Sequence, residues 1–180
     1  MPWEYSQRTG RPRRSAITAA ALAAFLLIGV ASLALARERP PSREAIRMIS
    51  EIRTVGAAKV LARLHQSGTR HGWDWVVEQA ATGNQEWLTV IYHLRDATDA
   101  GDTQALNVAL AYALPKNPAG VLKLLGSDFP VEKICRTPFS EPDAVTLKQY
   151  VDKAQQALRG ETSEKLLFNR DKCLAQLNVT

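Results

Sequence analysis

The chain has 180 residues, of which 46% are hydrophobic and 23% charged, enough for one ordinary domain or a smaller one carrying an appendage. That balance excludes a wholly disordered chain. Ten Gly and nine Pro exclude a collagen-like or low-complexity chain, and two cysteines exclude a disulfide-dense mini-scaffold. Aromatic residues are only 7% while Ala and Leu abound, which favours helix over sheet.

Hydrophobicity and charge are unevenly placed. Residues 1–15 form a basic segment with Arg8, Arg11, Arg13 and Arg14 against Glu4 alone. Residues 16–36 follow without a single charge, 21 positions that include Leu22, Phe25, Leu27, Ile28, Val30 and Leu33. A helix of that length rises about 30 Å, the thickness of a bilayer's hydrocarbon core. Basic residues on its N-terminal side keep that end in the cytoplasm and send the rest across. The expectation is a bacterial inner-membrane protein with its C-terminal part in the periplasm. The alternative is a soluble periplasmic protein released by cleavage after Ala36, where Ala34-Leu35-Ala36 reads as a small-x-small signal. Arg13-Arg14 lacks the flanking pattern of a twin-arginine signal. Without residues 1–36 the chain keeps 19 basic and 17 acidic residues, a net charge of +2. Overall basicity is therefore largely a matter of topology, and no nucleic-acid partner is expected.

Residues 37–42 read as a stiff charged linker around Pro40-Pro41, and residues 43–180 as the exported domain. Ser42 is a good N-cap for a helix from about Arg43, with Ile46, Ile49 and Ile52 on one face. Thr54-Val55-Gly56 breaks or kinks it, and Val60, Leu61 and Leu64 carry a second stripe to Gln66, stopped by Ser67-Gly68. Asp74 is placed as the cap of a helix ending at Gly83. Asn84 caps the next, which carries Trp87, Leu88, Ile91 and Leu94. Asp102 is placed as the cap of a helix carrying Ala105, Leu106, Ala109, Leu110 and Ala113, stopped by Pro115. Asn117 caps another, with Pro118 at its first position, Val121, Leu122 and Leu125 inside, and Gly126 closing it.

Caps at 84, 102 and 117 start a helix every 15–18 residues. The fold class is thus all-α, with short antiparallel helices in a solenoid-like stack or an irregular bundle, preceded by the N-terminal hydrophobic helix. Prolines at 130, 138 and 142 allow only short turns. Two helices end the chain, about 143–159 and 163–177. Val145, Leu147, Tyr150, Val151, Ala154 and Leu158 pack the first, and Leu166, Leu167, Cys173, Leu174 and Leu177 the second. No strand is expected.

In an oxidising compartment Cys135 and Cys173 read as one structural disulfide, tying the proline-rich connection to the last helix. No Cys-x-x-Cys motif supports a redox pair. His65 and His71 read as surface histidines rather than metal ligands, because metal-binding pairs on helices sit closer together. Asp96, Asp99 and Asp102 lack the alternation and distal Glu of an EF-hand and read as a helix end, a turn and a cap. No Gly-x-Ser-x-Gly elbow and no Gly-rich phosphate loop is present, so no catalytic residue, cofactor or small-molecule ligand is expected. Trp87 belongs to a core stripe. Trp73 and Trp75, two apart, point to nearly opposite sides of a helix, which makes one of them a candidate anchor for a partner.

Gly83-Asn84-Gln85-Glu86-Trp87-Leu88, Thr98-Asp99-Ala100-Gly101 and the stretch Ala113-Leu114-Pro115-Lys116-Asn117-Pro118 to Leu122 carry a resemblance, as does Arg170-Asp171-Lys172-Cys173-Leu174. Over roughly residues 73–177 the chain resembles small exported helical proteins of proteobacteria. The resemblance implies a bacterial envelope location and a helical fold, and it transfers no catalytic residue. The expected function is a non-catalytic interaction or adaptor module that binds another envelope protein. The rival readings are an envelope enzyme acting on cell-wall material and an immunity-type inhibitor of a secreted toxin.

Overall fold

The computed structural model describes residues 42–67 and 71–178; the expected membrane segment 16–36 and its flanks, residues 1–15 and 37–41, lie outside the described residues. Among the described residues every regular element is a helix. None of these helices is long and apolar enough to cross a membrane.

The first half consists of α1 (Arg43–Val55), α2 (Ala57–Gln66), α3 (Trp73–Ala81), α4 (Gln85–Leu94) and α5 (Ala100–Ala113). Ser42 caps α1 by accepting the amide of Ala45. Gly56 then breaks the chain at φ 92°, a left-handed backbone that favours glycine, before α2 starts. Asn84 caps α4 by accepting the amide of Trp87. Four hydrophobic positions expected there, Trp87, Leu88, Ile91 and Leu94, are all buried. The second half consists of α6 (Pro118–Leu122), α7 (Val131–Ile134), α8 (Ala144–Arg159) and α9 (Leu167–Leu177). Asn117 caps α6 with Pro118 at its first position, and Asp143 caps α8.

One core cluster runs from Ala45 through Leu122 and Phe129 to Leu177. Each Leu or Ile buried in it contributes about 1.5–3 kcal/mol of transfer free energy. Cys135 and Cys173 lie within this core at disulfide-bonding distance, their Cα atoms 5.1 Å apart. Tyr150 on α8 is the polar tie beside them. Its hydroxyl is 2.9 Å from the carbonyl of Ala111 and 3.1 Å from that of Arg136, so it donates between α5 and the chain after α7. Burial, with Tyr112 adding to it, pushes the Tyr150 phenol well above its ordinary range.

Several sequence expectations need correction. On α1 the buried face is Ala45, Met48 and Ile52, while Ile46 is exposed and Ile49 only partly covered. Ala45, fully buried, and Met48 share their face with Ile52, whereas Ile46 points away from it. Asp74 sits inside the first turn of α3, whose N-cap is Gly72. The cap of α5 is Asp99, not Asp102: the Asp99 carboxylate accepts the amide of Asp102 at 2.8 Å. α6 ends at Leu122 rather than near Gly126, where the chain turns instead through Gly126 donating to the carbonyl of Phe129. Val145, expected in the core, is 66% exposed at the start of α8.

Candidate functional site

Trp73 and Trp75 stand in the first turn of α3, and the helical turn separates them as expected. Trp73 is buried, with its ring 5.6 Å from that of His65. Trp75 is half-buried. It meets Trp87 edge-on at 4.8 Å and takes the ring of His71 at 4.8 Å on another side. His71 has φ 67°, a left-handed backbone uncommon for a residue with a Cβ. Trp75 and His71 also line a shallow pocket of about 180 Å³, together with Met48 of α1. Its rim carries Arg63 of α2, which grips Glu51 of α1 through two hydrogen bonds of 3.0 and 2.8 Å. The two tryptophans are thus close in space but unlike in exposure, and Trp75 lines a surface depression.

His65 is more than an isolated surface histidine. Its Nε2 is 2.9 Å from Oδ2 of Asp102, whose side chain is only 10% exposed. The carboxylate freed from capping duty by Asp99 is turned back across the fold onto α2. His71 points elsewhere, to Trp75, so the two histidines are not brought together. Among the described residues no three His, Cys, Asp or Glu side chains gather in a way that could hold a metal ion.

A larger depression lies where the sequence offered no candidate. An open groove of about 920 Å³ runs between the 125–132 segment and α9. Leu125, Pro130 and Val131 line one side; Phe168, Asn169 and Lys172 line the other. The wall formed by α9 is fixed by Asn169, which donates to the carbonyl of Leu122 at 2.9 Å. Phe168 is 70% exposed, with the ammonium of Lys172 4.2 Å from its ring centroid. One signal for this residue was present in the sequence. The stripe that packs the last helix runs through Leu166, Cys173 and Leu177, and Phe168 lies off it, an aromatic residue with no place in the core.

No protein-family model, curated protein or solved structure matches the chain.

Proposed function

We propose that the chain is a non-catalytic envelope protein: an exported helical adaptor, tethered to a bacterial inner membrane by residues 16–36, that binds another envelope protein through the groove beside α9. Phe168 carries this reading. An aromatic ring left 70% exposed, on the rim of a groove whose other side is Leu125, Pro130 and Val131, is the kind of anchor on which protein interfaces concentrate their binding energy. Trp75 offers a second, smaller anchor on the first half of the domain. From α3 onward the helices support a solenoid-like stack, because elements two apart in sequence pack together (α3 with α5, α5 with α7, α7 with α9, α4 with α6 and α6 with α8), while α1 packs on α4, three places on. Such a stack displays an extended surface rather than a single deep cleft. Location rests on the uncharged run and its basic flank, and on the buried cysteine pair, which in an oxidising compartment forms a disulfide.

Site-specific photo-crosslinking in living cells tests the reading. A photoreactive phenylalanine analogue at position 168 is expected to yield one discrete crosslinked envelope protein, and the same analogue at exposed position 145 none. Phe168→Ala should then lower co-purification of that protein by about tenfold or more. Equal crosslinking from both positions, or full-length protein found in the cytoplasm with both thiols free to alkylate, rejects the proposal.

A further inference from the structure

A third depression, sharing no residue with the groove, has a different chemistry. It encloses about 200 Å³ between α5 and the segment 133–140. Two cations line it, Lys133 and Arg136, and no carboxylate does. Neither cationic side chain has an ion-pair partner among the described residues, although three other Lys or Arg side chains pair with carboxylates there. Thr137 and Ser140 bring hydroxyls and Gln104 an amide to the same space. The Thr137 oxygen already accepts the amide of Phe139 at 3.3 Å, which leaves its hydrogen to donate elsewhere. Val108 and Phe139 supply an apolar floor.

We propose that this pocket binds a phosphomonoester, carried by a small solute or by a lipid headgroup. The charge decides the class. A phosphomonoester carries about −1.5 to −2 near neutral pH and three acceptor oxygens, matching two cations and surrounding hydroxyl donors. A carboxylate or a phosphodiester brings one negative charge and would leave one cation uncompensated. Arg136 contributes a planar fork suited to two phosphate oxygens, and Lys133 a compact point charge. The volume sits below the roughly 300–1,000 Å³ of pockets for drug-sized ligands, so the group attached to the phosphate is small, with a few carbons on the floor. The backbone beneath is held in place. The Arg136 carbonyl accepts from Tyr150 at 3.1 Å, Cys135 precedes it in the core, and Phe139 packs edge-on between Tyr112 and Tyr150. The inference is independent of the adaptor reading and goes against the sequence expectation of no small-molecule ligand.

Calorimetric titration of the full-length protein in neutral detergent tests it, with sn-glycerol 3-phosphate, dihexanoylphosphatidic acid and dihexanoylphosphatidylcholine as probes. Saturable binding of the first assigns the site to soluble phosphomonoesters; binding of the second alone assigns it to a lipid headgroup. Either supports the proposal provided that binding weakens about tenfold in Lys133→Ala and in Arg136→Ala. It should also weaken with added salt, since both cations are exposed. Neither substituted side chain has an ion-pair partner among the described residues, so unchanged thermal midpoints are expected and separate lost binding from lost structure. No binding of either phosphomonoester, equal binding of the phosphatidylcholine, or binding indifferent to both substitutions overturns the proposal.

Discussion

His65 and Asp102, 37 positions apart, meet across 2.9 Å and connect α2 to the first turn of α5. The two partners are unequally placed: the histidine side chain is 46% exposed and the carboxylate 10%. Removing one therefore differs from removing the other. His65→Ala leaves a nearly buried carboxylate without its partner and should cost about 1–2 kcal/mol. Asp102→Ala leaves an imidazole that water can satisfy and should cost less, under about 1 kcal/mol. Urea denaturation of both single variants and the double variant checks this. The double variant should be close to Asp102→Ala alone, and a His65→Ala variant as stable as the native protein contradicts the assignment.

Reduction of the Cys135–Cys173 pair should lower stability substantially. The separation of 38 residues corresponds to about 4 kcal/mol in the chain-entropy picture, near the top of the usual range. Paired denaturation curves with and without reductant measure the difference. The Cys135→Ser, Cys173→Ser double variant should match the reduced native protein and show no further response to reductant.

Tyr150→Phe keeps the edge-on ring contact with Phe139 but removes the hydroxyl that reaches both Ala111 and Arg136. The expected loss is about 1–2 kcal/mol, visible as a lower urea midpoint. A pH dependence follows with a definite sign. The folded-state phenol is raised above its unfolded value of 10.0, so its contribution is complete below pH 10 and fades as alkaline pH climbs toward the raised value. The stability gap between native and Tyr150→Phe proteins should therefore narrow above pH 10. A gap that widens there refutes the burial argument.

Asp143 gives the opposite sign. Hydrogen bonding by the Thr146 hydroxyl, at 2.6 Å, is the largest influence on its carboxyl, followed by the Thr146 amide, and together they hold it below its ordinary value. The carboxylate's contribution to capping α8 is present above the unfolded pKa of 3.8 and is lost as pH falls through the lower folded value. Asp143→Ala should lower the thermal midpoint at pH 7, and the difference should shrink below pH 4. Asp143→Asn should retain more of the midpoint than Asp143→Ala, since an amide oxygen also caps.

Local signals in the sequence were strong where one side chain acts on its own helix. Ser42, Asn84 and Asn117 cap where their residue types and the following apolar runs place them, and Gly56 breaks the chain where only a glycine is at ease. The misplacement of the α5 cap shows the limit. Asp99 and Asp102 are both good caps locally, and what separates them is His65, a partner reached only through the tertiary fold. Ile46 failed for the same reason. The stripes Ala45-Met48-Ile52 and Ile46-Ile49 both fit a helical period, and the neighbouring helices decide which turns inward. The groove and the basic pocket were illegible because each joins segments distant in sequence: Leu125 with Lys172, and Gln104 with Arg136.

Asn117 holds two helix ends with a single amide. Its oxygen accepts the amide of Gly120 at 2.8 Å to start α6, and its nitrogen donates to the carbonyl of Gly83 at 2.8 Å, just beyond α3. Lys116 beside it donates to the carbonyl of Ala81 at 2.7 Å. Only one orientation of the amide satisfies both contacts, so the group acts as a polarised connector with an acceptor end and a donor end. Aspartate has the same outline and two acceptor ends. In Asn117→Asp the helix start survives and the link to Gly83 is replaced by two oxygens facing each other. At this position, the polarity of a donor–acceptor pair, rather than shape or volume, joins one part of the fold to the next.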